Sequence, residues 1–443
     1  MNKQLKVYSD STNYTCQVIK LPPKMPVKGL DNLVEVNVQG NSVLVGKDSN
    51  EDELYLFFPA ECQISDEFLK ANNLYRHENL NSDSTQKGFF EDNRRVKAIK
   101  FKGIISSGFV IPIESLNNLM KIDGRALSDI QLGVEFNELG GVEICKKYLK
   151  KIPGEKGFSN PRAKVLDNII DSKLAPEHPD TAQLMRNVHK LTLDTEIVVT
   201  YKLHGTSART YNTLVKRKLT WKDKLAKFFG IKVQEENYDY VAASRRTLKS
   251  VGFEELPGKN HFFTEGDLWS QVAKDFLEDK LNKGESIYYE IIGKTYGGEA
   301  IQGGYSYGFD RPEIYVYRIA NINPQGIEVD LSYDQMVERA TQIGLDVCPL
   351  LFKGKLKEFL DKYLHPRSGD IEQDLNQIFY NQLLEKPSIL DSSVVEEGFC
   401  VRIDKYPKAE TFKVKSKKFL AHESAALDKD VVDIEENPEN QIN

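Results

Sequence analysis

Tyr201-Lys202-Leu203-His204-Gly205-Thr206-Ser207 follows the β-branched run Ile197-Val198-Val199-Thr200. Such a run reads as a buried strand. Gly205 then lets the backbone turn tightly or approach a neighbour closely. A lysine therefore sits at a strand end beside a small-residue turn. That setting suits an amine that must meet a phosphate, and equally a solvated lysine.

Length and composition narrow the classes. The chain of 443 residues suggests two domains, or three, with ordinary apolar and charged content. No apolar run is long enough to cross a membrane, and Met1–Leu5 lacks the apolar core of a signal peptide. The five cysteines are scattered without a C-x-x-C pair, which argues against a zinc ribbon or disulfide framework and for cytosolic thiols. No H-E-x-x-H pattern suggests a zinc hydrolase. The net charge of −6 lies in the C-terminus: residues 421–443 hold seven acids and one base, so residues 1–420 sum to zero. Residues 423–443 read as an acidic disordered tail, leaving a neutral body free to carry a local basic groove.

Outward from the lysine motif, residues 1–150 alternate short β-like runs with turns, as a small barrel or sandwich does. The expected strands are Leu5–Tyr8, Tyr14–Ile19, Leu33–Val38, Ser42–Val45, Leu54–Phe58, Arg95–Phe101 and Gly108–Ile113. On the basic strand, alternation makes Arg95 and Lys97 candidates for a phosphate-tracking face, or for an ordinary wet one. The Pro- and Gly-bearing connector Ile152–Pro161 marks a domain boundary. Beyond it, Asp180 or Thr181 could cap a short helix.

Past the motif, Lys216–Lys232 is basic and amphipathic. Trp221, Leu225, Phe228 and Phe229 recur at helical spacing, flanked by Lys216, Arg217, Lys218, Lys222, Lys224 and Lys227. This reads as a docked surface helix with a solvated basic side, as a nucleic-acid contact through Lys216, Arg217 and Lys218, or as a membrane-surface helix. Ser286–Gly293 is a strand with one acid, Glu290, among apolar neighbours, which is costly to bury unless paired or bound to a cation. Gly297–Gly308 reads as a mobile loop, Glu313–Ile319 as a strand, and residues 331–389 as helical with breaks at Pro349 and Pro366. Two strands follow, Glu396–Ile403 and Thr411–Lys415. In the second, Lys413 and Lys415 share one face, where an anion or solvent must relieve their repulsion.

The order of these pieces is more specific than any one of them. Lys-x-His-Gly, Ser-Arg (Ser244-Arg245), Glu-Ile-Ile-Gly (Glu290–Gly293), an aromatic strand, Glu-Gly-Phe-Cys-Val (Glu397–Val401) and Lys-Val-Lys-Ser (Lys413–Ser416) resembles the covalent nucleotidyltransferase superfamily of polynucleotide ligases and capping enzymes. The pattern spans residues 180–420. Within it the chain is most similar to ATP-dependent RNA ligases, in the branch with an N-terminal OB-like domain. The resemblance implies an α+β fold, with ATP-grasp-like antiparallel sheets and flanking helices over 151–422, preceded by a small OB-like β-barrel at 1–150.

The resemblance also implies roles. Lys202 would form lysyl-AMP, and Arg245 would contact ribose or phosphate. Glu290 would hold the ribose, with a possible share in the metal site, and Tyr317 or Tyr315 would lie under adenine. Glu397 would be a metal-linked carboxylate, and Lys413 and Lys415 would meet the triphosphate. Many members have aspartate where this chain has His204, so His204 would reach metal-bound water through a neutral ring nitrogen or make a positioning hydrogen bond. The implied cofactors are ATP and Mg²⁺ (or Mn²⁺). The implied partners are RNA ends or nicked duplexes with a 3′-hydroxyl and a 5′-phosphate, with no membrane and no obligate protein partner, in the cytoplasm of a cell or of a virus's host. The cations Lys413, Lys415 and Mg²⁺ would lower the pKa of Lys202 for attack. The alternatives are a DNA ligase, a GTP-using capping enzyme, or a non-catalytic RNA-binding protein on a ligase fold. NAD dependence is disfavoured, since zinc-type cysteines and the usual extra modules are missing.

Overall fold

The computed structural model describes residues 5–120, 130–149, 169–178, 180–255 and 266–429. The connector Ile152–Pro161 and residues 430–443 lie outside them. Among the described residues no helix is long and apolar enough to cross a membrane.

Two mainly antiparallel sheets, each with one short parallel pairing, form the larger part of the fold. The first orders its strands Ala182–Gln183, Glu410–Lys415, Gly398–Ile403, Glu196–Lys202 and Leu350–Lys355. Alternation divides its faces. Ile197, Val199, Phe399, Val401, Ile403, Phe412 and Val414 pack against the helices Leu356–Tyr363 and Ile371–Ile378. Val198 instead joins the core of the second sheet, so Thr200 and Lys202, two and four residues on, share the face turned toward that sheet. The second sheet is larger. Its centre is Glu236–Ser244, Thr206–Lys216, Glu285–Gly293 and Pro312–Ile322. Helices Leu268–Leu277 and Tyr333–Gln342 bury Trp269, Val272, Met336 and Ala340 against it.

The sequence Leu203-His204-Gly205 is the crossing between the sheets: Lys202 ends a strand of one and Thr206 begins a strand of the other. Gly205 is required for a steric reason. A Cβ there would stand 2.2 Å from the Ile291 carbonyl oxygen, so the close neighbour is the adjoining strand.

One expectation in this region is corrected. Residues 331–389 are not helical throughout: Leu350–Lys355 is a strand at the sheet edge beside Glu196–Lys202. Its partner is some 150 residues away in sequence, and helical periodicity in the flanks could not reveal it. The Gly- and Tyr-rich stretch 297–308 is a loop whose glycines are exposed and whose apolar side chains anchor it. Ile301, Tyr305 and Tyr307 are buried, Gln302 Nε2 donates to the Gly205 carbonyl at 2.7 Å, and the Tyr307 hydroxyl accepts from the His204 N–H at 2.8 Å. A loop that satisfies the crossing's backbone is held by it.

The N-terminal module is β-rich, as expected. Gly108–Pro112, Leu54–Pro59, Cys16–Lys20 and Glu135–Phe136 form one sheet, and Met25–Pro26, Leu33–Val38 and Asn41–Gly46 another. Among the described residues its strands pair as separate sheets of two to four strands. The basic strand is shorter than expected, Ile99–Phe101. Arg95 and Lys97 precede it and do not form a wet face. Arg95 is 3% exposed and donates to the Ser424 carbonyl at 2.8 Å and to Asp428 Oδ1 at 2.9 Å. Lys97 Nζ lies 2.5 Å from Glu91 and 2.9 Å from Asp428.

These contacts also correct the tail. Helix Lys417–Asp428 is capped by Ser416 and carries Ser424 and Asp428 onto the N-terminal module, so residues 423–428 are not a disordered end. Local acidity suggested solvation, but Arg95 and Lys97 supply the partners from more than 300 residues away. Truncating a buried guanidinium leaves its acceptors unpaired, at about 2 kcal/mol. Arg95→Ala should therefore lower the unfolding midpoint and open the helix Lys417–Asp428 to limited proteolysis. An unchanged midpoint in a thermal melt would show that the latch contributes nothing.

Candidate active site

The register of the first sheet assembles the site. Lys202 lies opposite Gly398, and Gly398 opposite Lys415. Thr200, Cys400 and Lys413 form the next row. Gly398 places no side chain between the two lysines of its row, and a Cβ there would stand 2.0 Å from the Val414 carbonyl oxygen. Both amines then reach the carboxylate that precedes the glycine. Lys202 Nζ is 2.7 Å, and Lys415 Nζ 3.5 Å, from Glu397 Oε1. Lys415 also lies 2.9 Å from Glu423 Oε1.

The surroundings of Lys202 pull its amine in both directions. Burial of Lys202 acts to lower its pKa, but Glu397 and Glu290 outweigh both burial and Lys415, and the amine is held above its ordinary value. Glu397 is 2% exposed. Burial would raise it, yet Lys202, Lys415 and His204 hold it below the usual carboxylate range. Lys413 is the contrasting group: burial, then Lys415, Arg245 and Lys202, push it down to about 7.

A cavity of about 280 Å³ opens beside Lys202. Arg245, Glu290, Tyr317 and Lys413 line it, whereas Tyr315 does not. Glu290 Oε1 accepts the Gly205 N–H at 3.0 Å, which ties the acid to the motif's backbone. The Tyr317 hydroxyl lies 2.6 Å from Ser207 Oγ. Arg245 Nη2 donates to Asp180 Oδ1 at 2.8 Å, and Arg246 binds the same carboxylate. Asp180 thus orients two arginines; it does not cap a helix. His204 is buried with its ring edge-on to Tyr305 and Phe419, centroids 4.9 and 4.8 Å away. It lines a second, smaller cavity shared with Lys413, Lys415 and the N-terminal module's Tyr14 and Glu61.

Sequence reasoning missed His178, Cys400, Arg402, Arg318 and Lys408, which also line the larger cavity. One signal was available. Cys400 and Arg402 alternate with buried Phe399, Val401 and Ile403, so the strand has a polar inner face. Lys216, Arg217 and Lys218 are not brought to this site. They stand at the far end of Thr206–Lys216, whose eleven residues span about 35 Å of extended chain.

The donor set bears on a divalent cation. Among the described residues no group of three or more His, Cys, Asp or Glu is placed to hold one. Glu397 Oε2, however, is buried without a hydrogen-bond partner. A single orphaned carboxylate oxygen fits a Mg²⁺-type ion that completes its shell with waters and substrate phosphates. The ion pair can be tested directly. In Glu397→Gln, burial and Lys415 act with less opposition, so the pKa of Lys202 should fall. Titration of the isotopically methylated lysine by NMR would read that fall, and an unmoved titration would mean Glu397 does not control the amine.

A sequence profile described as RNA ligase matches residues 195–417. No curated protein sequence matches the chain. Among solved structures, a mutant Naegleria gruberi RNA ligase with AMP and Mn superposes with a TM-score of 0.56 at 16% identity, over 92% of this chain and 98% of that one. A mutant of that ligase with ATP and Mn gives 0.56 at 16% over the same shares, and an apo mutant 0.55 at 16%, again over 92% and 98%. At that identity the likeness speaks for the fold, while the profile covers half of the sequence. The motif order, the two-sheet crossing and the profile agree: this chain is a member of the RNA ligase family.

Proposed function

We propose that the protein is an ATP-dependent RNA ligase that works through a lysyl-AMP intermediate on Lys202 and joins a 5′-phosphate end to a 3′-hydroxyl. The observation that supports this most is the meeting of Lys202, Glu397 and Lys415 at the edge of a cavity lined by Arg245, Glu290, Tyr317 and Lys413. The Naegleria gruberi ligase structures with ATP and Mn are consistent with that reading.

In the first step the Lys202 amine attacks the α-phosphorus of ATP. A P–N bond forms, the bond to the bridging oxygen breaks, and pyrophosphate leaves with the electron pair. The amine must first give up a proton, and Glu397 Oε1 is within reach to hold it. Tyr317 and Glu290 would place the adenosine, Arg245 the ribose or α-phosphate, and Lys413 and Lys415 the departing charge. A divalent cation at Glu397 Oε2 would supply positive field that makes the amine more acidic and shields the phosphates. The AMP then passes to the 5′-phosphate, and the 3′-hydroxyl displaces it. The N-terminal module, read as OB-like, would grip the polynucleotide; it meets the site through the smaller cavity.

Two measurements follow. Lys202→Ala should abolish transfer of label from α-labelled ATP to the protein, and surviving label would remove Lys202 as nucleophile. The second concerns protons. Lys413 loses its charge as pH rises through about 7, while a polyanionic triphosphate favours its charged form. ATP binding above that pH should take up a proton, and affinity should fall as pH rises through it. Calorimetry in buffers of different ionisation enthalpy would show the uptake in the parent and its loss in Lys413→Met. Equal uptake in both would assign the proton elsewhere.

A further inference from the structure

The amphipathic stretch after the motif does not dock. The helix Trp221–Phe228 lies between the paired ends Lys216 and Glu236 of two long strands, and none of its residues is buried. Trp221 is 70% exposed, Phe228 82% and Phe229 69%, with Leu225 and Ile231 also exposed.

Polar contacts at its neck hold this arm together without help from the apolar stripe. Thr220 and Asp223 form a reciprocal cap, Arg217 pairs with Asp223 at 2.8 Å, and Lys227 pairs with Glu235 at 2.7 Å. At the other end the Gly230 and Ile231 N–H groups donate to the carbonyls of Lys227 and Ala226, with Gly230 at positive φ. That closure fixes the apolar tip Phe228-Phe229-Gly230-Ile231 in place. The arm thus presents a formed helix whose apolar stripe is turned to solvent.

Its charge is net basic. Residues 216–236 hold seven bases and three acids, Asp223, Glu235 and Glu236; Arg217 and Lys227 are paired at the neck, and Lys222 and Lys224 lie beside the apolar stripe. At about 100° per residue, Trp221, Leu225 and Phe228 fall within roughly 60° of arc, with Lys222 and Lys224 on opposite sides of them. Lysines bordering an apolar stripe can lay their stems along hydrocarbon and keep their ammonium groups in a polar layer.

We propose that this arm is a peripheral anchor for an anionic phospholipid surface. RNA would also meet the lysines, and stacking would use Trp221 and the phenylalanines. The stripe, however, continues through Leu225 and Ile231, which have no π face for a base. A second copy would bring two strongly basic arms together. Hydrocarbon beneath anionic headgroups satisfies both features at once. The arm springs from the far end of the strand that begins beside Lys202, so an anchored protein would keep its cavity clear of the membrane. This anchor stands apart from the expectation of no membrane partner, and its failure would leave the ligase reading untouched.

The intact protein tests this, because Trp221 is one of two tryptophans and the other, Trp269, is buried. The protein should sediment with vesicles of phosphatidylglycerol and phosphatidylcholine, with a blue shift of tryptophan emission, and should remain in solution with phosphatidylcholine alone. Phe228→Ser/Phe229→Ser should lower the partitioning by at least about tenfold. Lys222→Glu/Lys224→Glu, which keeps the apolar tip, should lose it as well. Label transfer from ATP would report that both variants are folded. No sedimentation with anionic vesicles, or equal sedimentation with neutral ones, would overturn the proposal. So would a blue shift on single-stranded RNA without vesicle binding, or a concentration-dependent dimer abolished by the same serine variants.

Discussion

One buried carboxylate organises this molecule. Glu397 receives Lys202 at 2.7 Å and Lys415 at 3.5 Å, and it is 2% exposed. A buried ion pair is seldom a net source of stability, because desolvation offsets the attraction. What the arrangement supplies is position. Three strands, the glycine gap at Gly398 and the Gly205 crossing must all be in place before two amines can share that acid. The same pair sets the chemical state of the proposed nucleophile. A lysine held charged beside its acid is inert, and it becomes reactive only when other charges enter the site.

The Lys415 end of this cluster couples the modules. Glu423 pairs with Lys415, and five residues further along the same helix Asp428 pairs with Arg95 and Lys97 of the N-terminal module. Charge brought to Lys415 therefore acts on a helix that also holds the two modules together. Between them lies the smaller cavity, lined by His204 and Lys415 on one side and Tyr14 and Glu61 on the other. The helix Lys417–Asp428 therefore touches both the Lys202–Glu397 cluster, through Glu423, and the N-terminal module, through Asp428.

The arm between Lys216 and Glu236 follows a different logic. It belongs to the catalytic half by sequence, yet its apolar residues make no core. Amphipathic spacing alone reads as docking. Only the solvent exposure of Trp221, Phe228 and Phe229 shows that the stripe faces outward.

Much of the catalytic half was legible in the chain. The β-branched run before Lys202, the lone acid in Ser286–Gly293 and the two-apart lysines at 413 and 415 are local patterns, and alternation places each on a face without knowledge of its neighbours. The order of those pieces carried the family. What alternation cannot supply is the partner. Alternation puts Arg95 on a phosphate-tracking or wet face, because its acceptors, Ser424 and Asp428, come from the other end of the chain. Leu350–Lys355 reads as helical from its flanks because its pairing strand lies before residue 203. The cations around Lys202 can be read from the sequence, whereas the short distance to Glu397, which holds the amine above its ordinary value, exists only in the folded sheet. Strand periodicity is a property of a few adjacent residues; burial and charge pairing depend on contacts between segments hundreds of residues apart, and tertiary structure alone decides them.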